Sequence, residues 1–143
     1  MKSQEVAVYR EIQRNTEMAM KAIDALSGKV YDDSLAIQIS RQSIKYSELH
    51  NEAMKHLLEA KAEPYRSSYM SELMLKTGVH YNTLLNTSTS HIAEMMIKGS
   101  NNGILEMEKI LHHNEGAGEE SLALANQLID FEQRNIKKLK DYL

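Results

Sequence analysis

Three polar residues interrupt otherwise apolar helical stripes: Asn15, Gln42 and Glu132. A carboxylate facing a core is costly unless it finds a partner or a ligand. Glu132 is therefore the first residue to ask about chemistry. Counting about eleven residues inward from one end of a helical bundle sets Asn15, His50, His91 and Glu132 at similar height. Glu94 stands three residues after His91, a spacing that brings both side chains to one helix face. Tyr46 lies one turn before His50. His50, His91, Glu94 and Glu132 thus form a candidate carboxylate–imidazole centre for a transition metal. A plainer reading competes with it. His50 and His91 each fall one position off their apolar stripe, where a histidine flanks the core or meets water. The di-iron bundle pattern needs Glu-x-x-His on two helices, and the chain has none.

Other polar groups suggest weaker chemistry. The nine methionines include Met70/Met74 and Met95/Met96/Met107, soft ligands that suit Cu(I); methionine is more often pliable core filler. Asn82, Asn86 and Ser90 recur every four residues and make one hydrophilic ridge. With Asn15 that ridge could line an internal pocket, or it could face solvent or a partner. No phosphate-cradling glycine loop, Ser-His-Asp arrangement or nucleophile elbow is present. The residues assemble no catalytic group, and a non-enzymatic protein is expected.

The elements that must position these residues are helices. In 143 residues there are one proline and six glycines, too few breakers for a many-turned β fold. Hydrophobic residues make up 42% and charged residues 26%, the balance of one globular domain spanning 1–143. With no cysteine, disulfides, thiol catalysis and Cys-based zinc sites are excluded. A net charge of −3 carries no basic surplus for nucleic acid. The cluster Arg134, Lys137, Lys138 and Lys140 reads as a cationic last turn complementing a helix dipole. No stretch approaches the ~18 apolar residues of a membrane span. Charged residues follow Met1 at once, leaving no signal-peptide core; a cytoplasmic, bacterial-type protein is expected.

Apolar spacing predicts a first helix over about 4–26, with Val8, Ile12, Ala19, Ala22 and Leu26 on one face. Ser27-Gly28 should close it through a left-handed glycine. A second helix runs over about 33–61, capped by Asp32 or Asp33 and stopped by Pro64. From Ser67 to His113, ~47 residues of unbroken helix would span roughly 70 Å, so a break is needed. Thr77-Gly78 is preferred, giving a short helix near 67–77 that caps one end and a long one near 80–112. Leu85, Ser88, Ile92, Met95 and Gly99 would form its seam. The rival break lies at 99–103. A loop at 112–118 precedes a last helix over about 119–142, with Leu122, Ala125, Ile129, Glu132, Ile136, Leu139 and Leu143 facing in. Short loops between long helices make sequential neighbours antiparallel. The expectation is an all-α, antiparallel up-down four-helix bundle.

Over its last third the chain also resembles a family. Met95-Met96-Ile97 and Gly103-Ile104 carry the likeness, followed by Leu124-Ala125, Leu128-Ile129, Glu132-Gln133, Asn135-Ile136, Leu139 and Tyr142-Leu143. These look like a family of small ferritin-like bacterial helical bundles, some of them linked to copper. The resemblance implies a ferritin-like hairpin of the third and fourth helices. The family's His-His pair, two residues after Met-Met-Ile, is replaced here by Gly99 and Ser100, and the proline that often precedes it is missing. The metal chemistry of the family therefore does not carry over, and the expected cytoplasmic location departs from its exported members.

Three functions follow as expectations. The first is a bundle acting through self-association, a homodimer by preference, or through a protein partner, without nucleic acid or membrane. The second is a ferritin-like metal binder using His50, His91, Glu94 and Glu132. The third is a small-molecule carrier or sensor whose pocket includes Asn15, Asn82 and Asn86.

Overall fold

The computed structural model describes residues 3–66 and 85–143. They form four long helices and, among the described residues, no strands: α1 Ser3–Leu26, α2 Asp33–Glu59, α3 Thr89–His113 and α4 Glu119–Leu139. No helix among them is long and apolar enough to cross a membrane. The four pack around one apolar cluster that includes Val8, Ile12, Leu35, Leu57, Ile92, Met107, Leu128 and Leu139. Burying each large apolar side chain contributes about 1.5–3 kcal/mol, so tertiary burial holds these helices more than propensity does.

Each boundary has a local cause. The Asp32 carboxylate accepts from Leu35 N at 2.8 Å and starts α2, satisfying a backbone donor the helix cannot. Ser88 does the same for α3 through His91 N. Glu119 and Glu120 occupy the first turn of α4 and Lys137 and Lys138 its last, as the dipole favours. The end of α2 is a Schellman motif: Lys61 N donates to Leu58 O and Ala62 N to Leu57 O. Its left-handed position is held by Lys61, at φ 55°, where glycine would be unstrained. Helix α2 thus stops before Pro64 acts on it. The outgoing chain then fastens onto α1. Gln13 Nε2 donates to Tyr65 O and Tyr65 N to Gln13 Oε1, and Arg10 Nε donates to Glu63 O.

Several sequence expectations change. The left-handed glycine foreseen at Gly28 does not occur; α1 runs into a 3-10 turn at Ser27–Lys29 and the chain leaves extended at Val30. Helix α3 begins at Thr89, not near 80. Leu85 is therefore off the seam and 97% exposed, and Ser88 is a cap. The preferred continuity through 99–103 holds, since α3 runs through both Gly99 and Gly103 and the rival break does not occur. The loop shrinks to 114–118, since His112 and His113 close α3. A 3-10 turn, Lys140–Tyr142, follows α4, and Leu143 is exposed. The foreseen short helix at 67–77 lies outside the described residues.

Helix α1 departs most from a one-sided amphipathic pattern. Glu11, Gln13, Arg14, Asn15 and Thr16 are buried alongside Tyr9 and Ile12. Polar atoms in such a stretch need partners. Arg14 Nη2 and Glu11 Oε2 meet at 2.7 Å, and Thr16 Oγ1 donates to Ile12 O.

Candidate functional site

Glu132 sits 2% exposed on the inner face of α4. Three side chains converge on its Oε1. The Tyr46 hydroxyl of α2 donates to it, as does Ser100 Oγ of α3 at 3.2 Å. Asn135 Nδ2, one turn along α4, reaches it at 3.2 Å and Tyr46 Oη at 3.3 Å. Tyr46 is itself fixed edge-on against Phe131, with ring centroids 5.0 Å apart.

The other carboxylate oxygen has a different surrounding. Glu132 Oε2 and Asn15 Oδ1 both crowd the Cα of Gly103: a β-carbon there would lie 2.9 Å from the first and 3.0 Å from the second. Asn15 Nδ2 is committed to Gly103 O at 2.9 Å, which turns Oδ1 away from that bond. Two acceptor oxygens from two helices therefore flank one point, and the described residues offer neither a donor.

That point opens into a cavity of about 60 Å³, room for a few waters or a small organic group. Its space comes from small residues on facing helices, Ala19 and Ala22 of α1 and Gly99 and Gly103 of α3. Glycine inside a helix costs about 1 kcal/mol relative to alanine. At Gly103 the return is the close approach of α1, which a β-carbon would obstruct. Met18, Ile23, Leu26 and Met96 make apolar walls. Arg14, Tyr46, Ser100, Asn102 and Glu106 complete the lining among the described residues. The Arg14 guanidinium is already engaged by Glu11 and, at 3.7 Å, by Glu106, and it donates to Met18 Sδ.

The electrostatics follow from burial. Loss of water pushes the Glu132 carboxyl up to about 7, against the opposing pull of the Tyr46, Asn135 and Ser100 hydrogen bonds. The Tyr46 hydroxyl is held well above its ordinary 10 by burial, reinforced by the Glu132 charge. Glu132 thus changes charge near neutral pH while Tyr46 stays a donor. With Oε1 saturated by donors, the titrating proton belongs on Oε2, inside the cavity. The chain matches no protein-family model, no curated protein and no solved structure. The site's geometry and chemistry must therefore carry the functional reading.

The structure distributes the sequence-derived candidates unevenly. Asn15 and Glu132 come together at Gly103. His50 instead pairs with Glu17, at 3.0 Å. His91 stands 3.8 Å from Glu94 on the outer side of α3, and Glu94 also meets Lys98. Among the described residues no three His, Asp or Glu side chains gather as metal ligands. Among the described residues no histidine lines the cavity, whose oxygen ligands include the Glu132 and Glu106 carboxylates, the Asn15 amide oxygen and the Tyr46 phenol. Asn86 Oδ1 accepts from Ser88 N and Ser90 is exposed; Asn82 lies outside the described residues. Ser100 and Asn135 are the functional candidates that sequence reasoning passed over. A signal for Asn135 existed, because it lies one turn after Glu132 on the same face. Gln42, 1% exposed, has no hydrogen-bond partner for either amide atom among the described residues.

Proposed function

We propose that this chain is a small-molecule carrier or sensor, an antiparallel ferritin-like bundle that binds a ligand in the cavity between α1 and α3. The carrying observation is the pair Glu132 Oε2 and Asn15 Oδ1, cavity-facing oxygens that receive no donor from the described residues when Glu132 is ionised. Buried polar atoms are normally satisfied, so a donor supplied by a ligand or water completes the site. Cross-contacts support antiparallel pairing of α1 with α2 and of α2 with α4, and the second departs from the expected up-down order, in which α2 and α4 would run the same way. Tyr9 stacks on His56 and Glu17 meets His50; Ser34 meets Tyr142 while Tyr46 meets Glu132. In each pair one number rises as the other falls.

The test is cavity filling. Ala22→Phe occupies the space with an apolar ring and leaves Glu132 in place. Thermal-shift screening of the wild type against small metabolites should give hits that Ala22→Phe abolishes. Uniformly flat screens, or hits the variant retains, refute the reading.

Self-association is the second reading, favoured by one observation. Ile37, Ile44 and Leu58 are 54%, 63% and 65% exposed and lie at multiples of seven along α2, opposite its buried face. A stripe of that kind suits a second helix. Ile44→Glu should leave folding intact and shift any dimer to monomer in sedimentation; wild type that is monomeric at millimolar concentration removes this reading.

A further inference from the structure

We propose that the ligand of this cavity is a small primary alkylammonium, held by Glu132 Oε2 and Asn15 Oδ1 with its short chain against Met18, Ile23, Leu26 and Met96. The inference rests on the ligand-binding reading above and narrows it to one chemical class.

The donor–acceptor inventory points there. Both oxygens facing the cavity at Gly103 are acceptors, and their partner must bring hydrogens. An ammonium brings three donors and no acceptor, and two of them can serve Glu132 and Asn15 together. A carboxylate or phosphate would bring only acceptors. Arg14 offers such an anion little, because Glu11 and Glu106 already engage it. Met18, Ile23, Leu26 and Met96 give the cavity an apolar wall and the volume is small, which suits a chain of a few carbons and not a sugar or nucleotide.

Charge agrees. The groups facing Glu132 are Tyr46 and Ser100 across the bundle and Asn135 on its own helix, all neutral hydrogen-bond donors. Arg14, Glu11, Glu106 and Lys109 form the ionic group by the cavity, two carboxylates balanced by two cations. With Glu132 ionised the site holds a net negative charge, and an organic cation neutralises it.

Binding is then coupled to proton release. Below about pH 7 the free site holds Glu132 as the neutral acid. A cation entering displaces that proton to solvent, giving a carboxylate–ammonium pair plus one H⁺, with no covalent bond made or broken otherwise. Affinity should fall about tenfold for each pH unit below that point.

The experiment is calorimetric titration of the full chain with n-butylammonium and with n-butanol, at pH 5 and pH 8, in two buffers of different ionisation enthalpy. Butylammonium should bind about 100-fold more tightly at pH 8 than at pH 5, releasing close to one proton at pH 5, while butanol binds weakly and independently of pH. Glu132→Gln should remove the advantage of butylammonium while keeping butanol binding, which also shows that the variant is folded. Asn15→Leu should weaken butylammonium alone. The proposal is overturned if butanol binds as well as butylammonium, if no proton is released at pH 5, or if Glu132→Gln binds the cation unchanged; the cavity reading survives those results. If neither probe binds and no screened metabolite does, both readings fail together.

Discussion

Replacing Glu132 with glutamine should convert a pH-dependent fold into a nearly pH-independent one over the range where the carboxyl titrates. Burial raises this group from 4.5 to about 7. The folded state therefore binds its proton more tightly than the unfolded chain does. Stability from the neutral acid is fully present below about pH 4.5, declines as pH rises through about 7, and is absent above. One pKa unit corresponds to about 1.4 kcal/mol, so wild type should lose about 3 kcal/mol between pH 4 and pH 8. Glutamine is close in shape and never ionises. Glu132→Gln should match wild type within about 1 kcal/mol at pH 4.5 and exceed it by about 2–3 kcal/mol at pH 8. Urea unfolding at half-unit pH intervals reads this directly, and the difference between the two proteins cancels the histidines. Parallel curves for wild type and variant from pH 4 to 8 would refute the reasoning, and so would a wild type that gains stability relative to the variant on the alkaline side.

Five further substitutions bear on hydrogen bonding, packing and capping. Tyr46→Phe removes a donor from the carboxylate and should cost about 1.5–3 kcal/mol at pH 8 but nearer 1 kcal/mol at pH 5; carboxyl NMR titration should place Glu132 above 7. Gly103→Val forces branched carbon onto Glu132 Oε2 and Asn15 Oδ1 and should destabilise by about 1–3 kcal/mol. Gly28→Ala, with nothing within 4 Å of the new carbon, should be neutral or stabilising by up to about 1 kcal/mol in the same urea assay. Lys61→Gly should raise stability by about 0.5–1 kcal/mol by relieving the left-handed position, and a loss would show the lysine side chain to be holding the turn. Gln42→Met should stabilise by about 1 kcal/mol or more, since it removes two unsatisfied buried polar atoms; a lower thermal midpoint would instead place an ordered water there.

The polar interruptions of the apolar stripes were the most informative letters in the sequence. Asn15, Gln42 and Glu132 are all buried, and two of them meet. Spacing reveals such residues because a core-facing position is set by helical period whatever occupies it. Caps were readable for a similar reason: Asp32 satisfies a donor by local chemistry alone. The spacing favours helix through 99–103 but leaves a rival break, because two glycines in five residues weigh against helix locally and the approach of α1 is not visible in the sequence. Nor was the burial of Glu11 and Arg14. Charged residues three apart look like a solvated face, and their enclosure depends on elements that pack from the far side. His50 and His91 kept to the helix flanks, where neighbouring glutamates on the surface took them up.

The two helix pairs, residues 3–66 and 85–143, are tied to one another through hydrogen-bonded side chains deep inside. Tyr46 and Asn15 belong to the first piece, Glu132, Ser100 and Gly103 to the second. A protease nick between Arg66 and Leu85 would leave fragments whose reunion buries an ionisable acid. Acidic solution would then favour reassembly of the halves and alkaline solution their separation, which makes this chain a ready starting point for a split-protein reporter of intracellular pH.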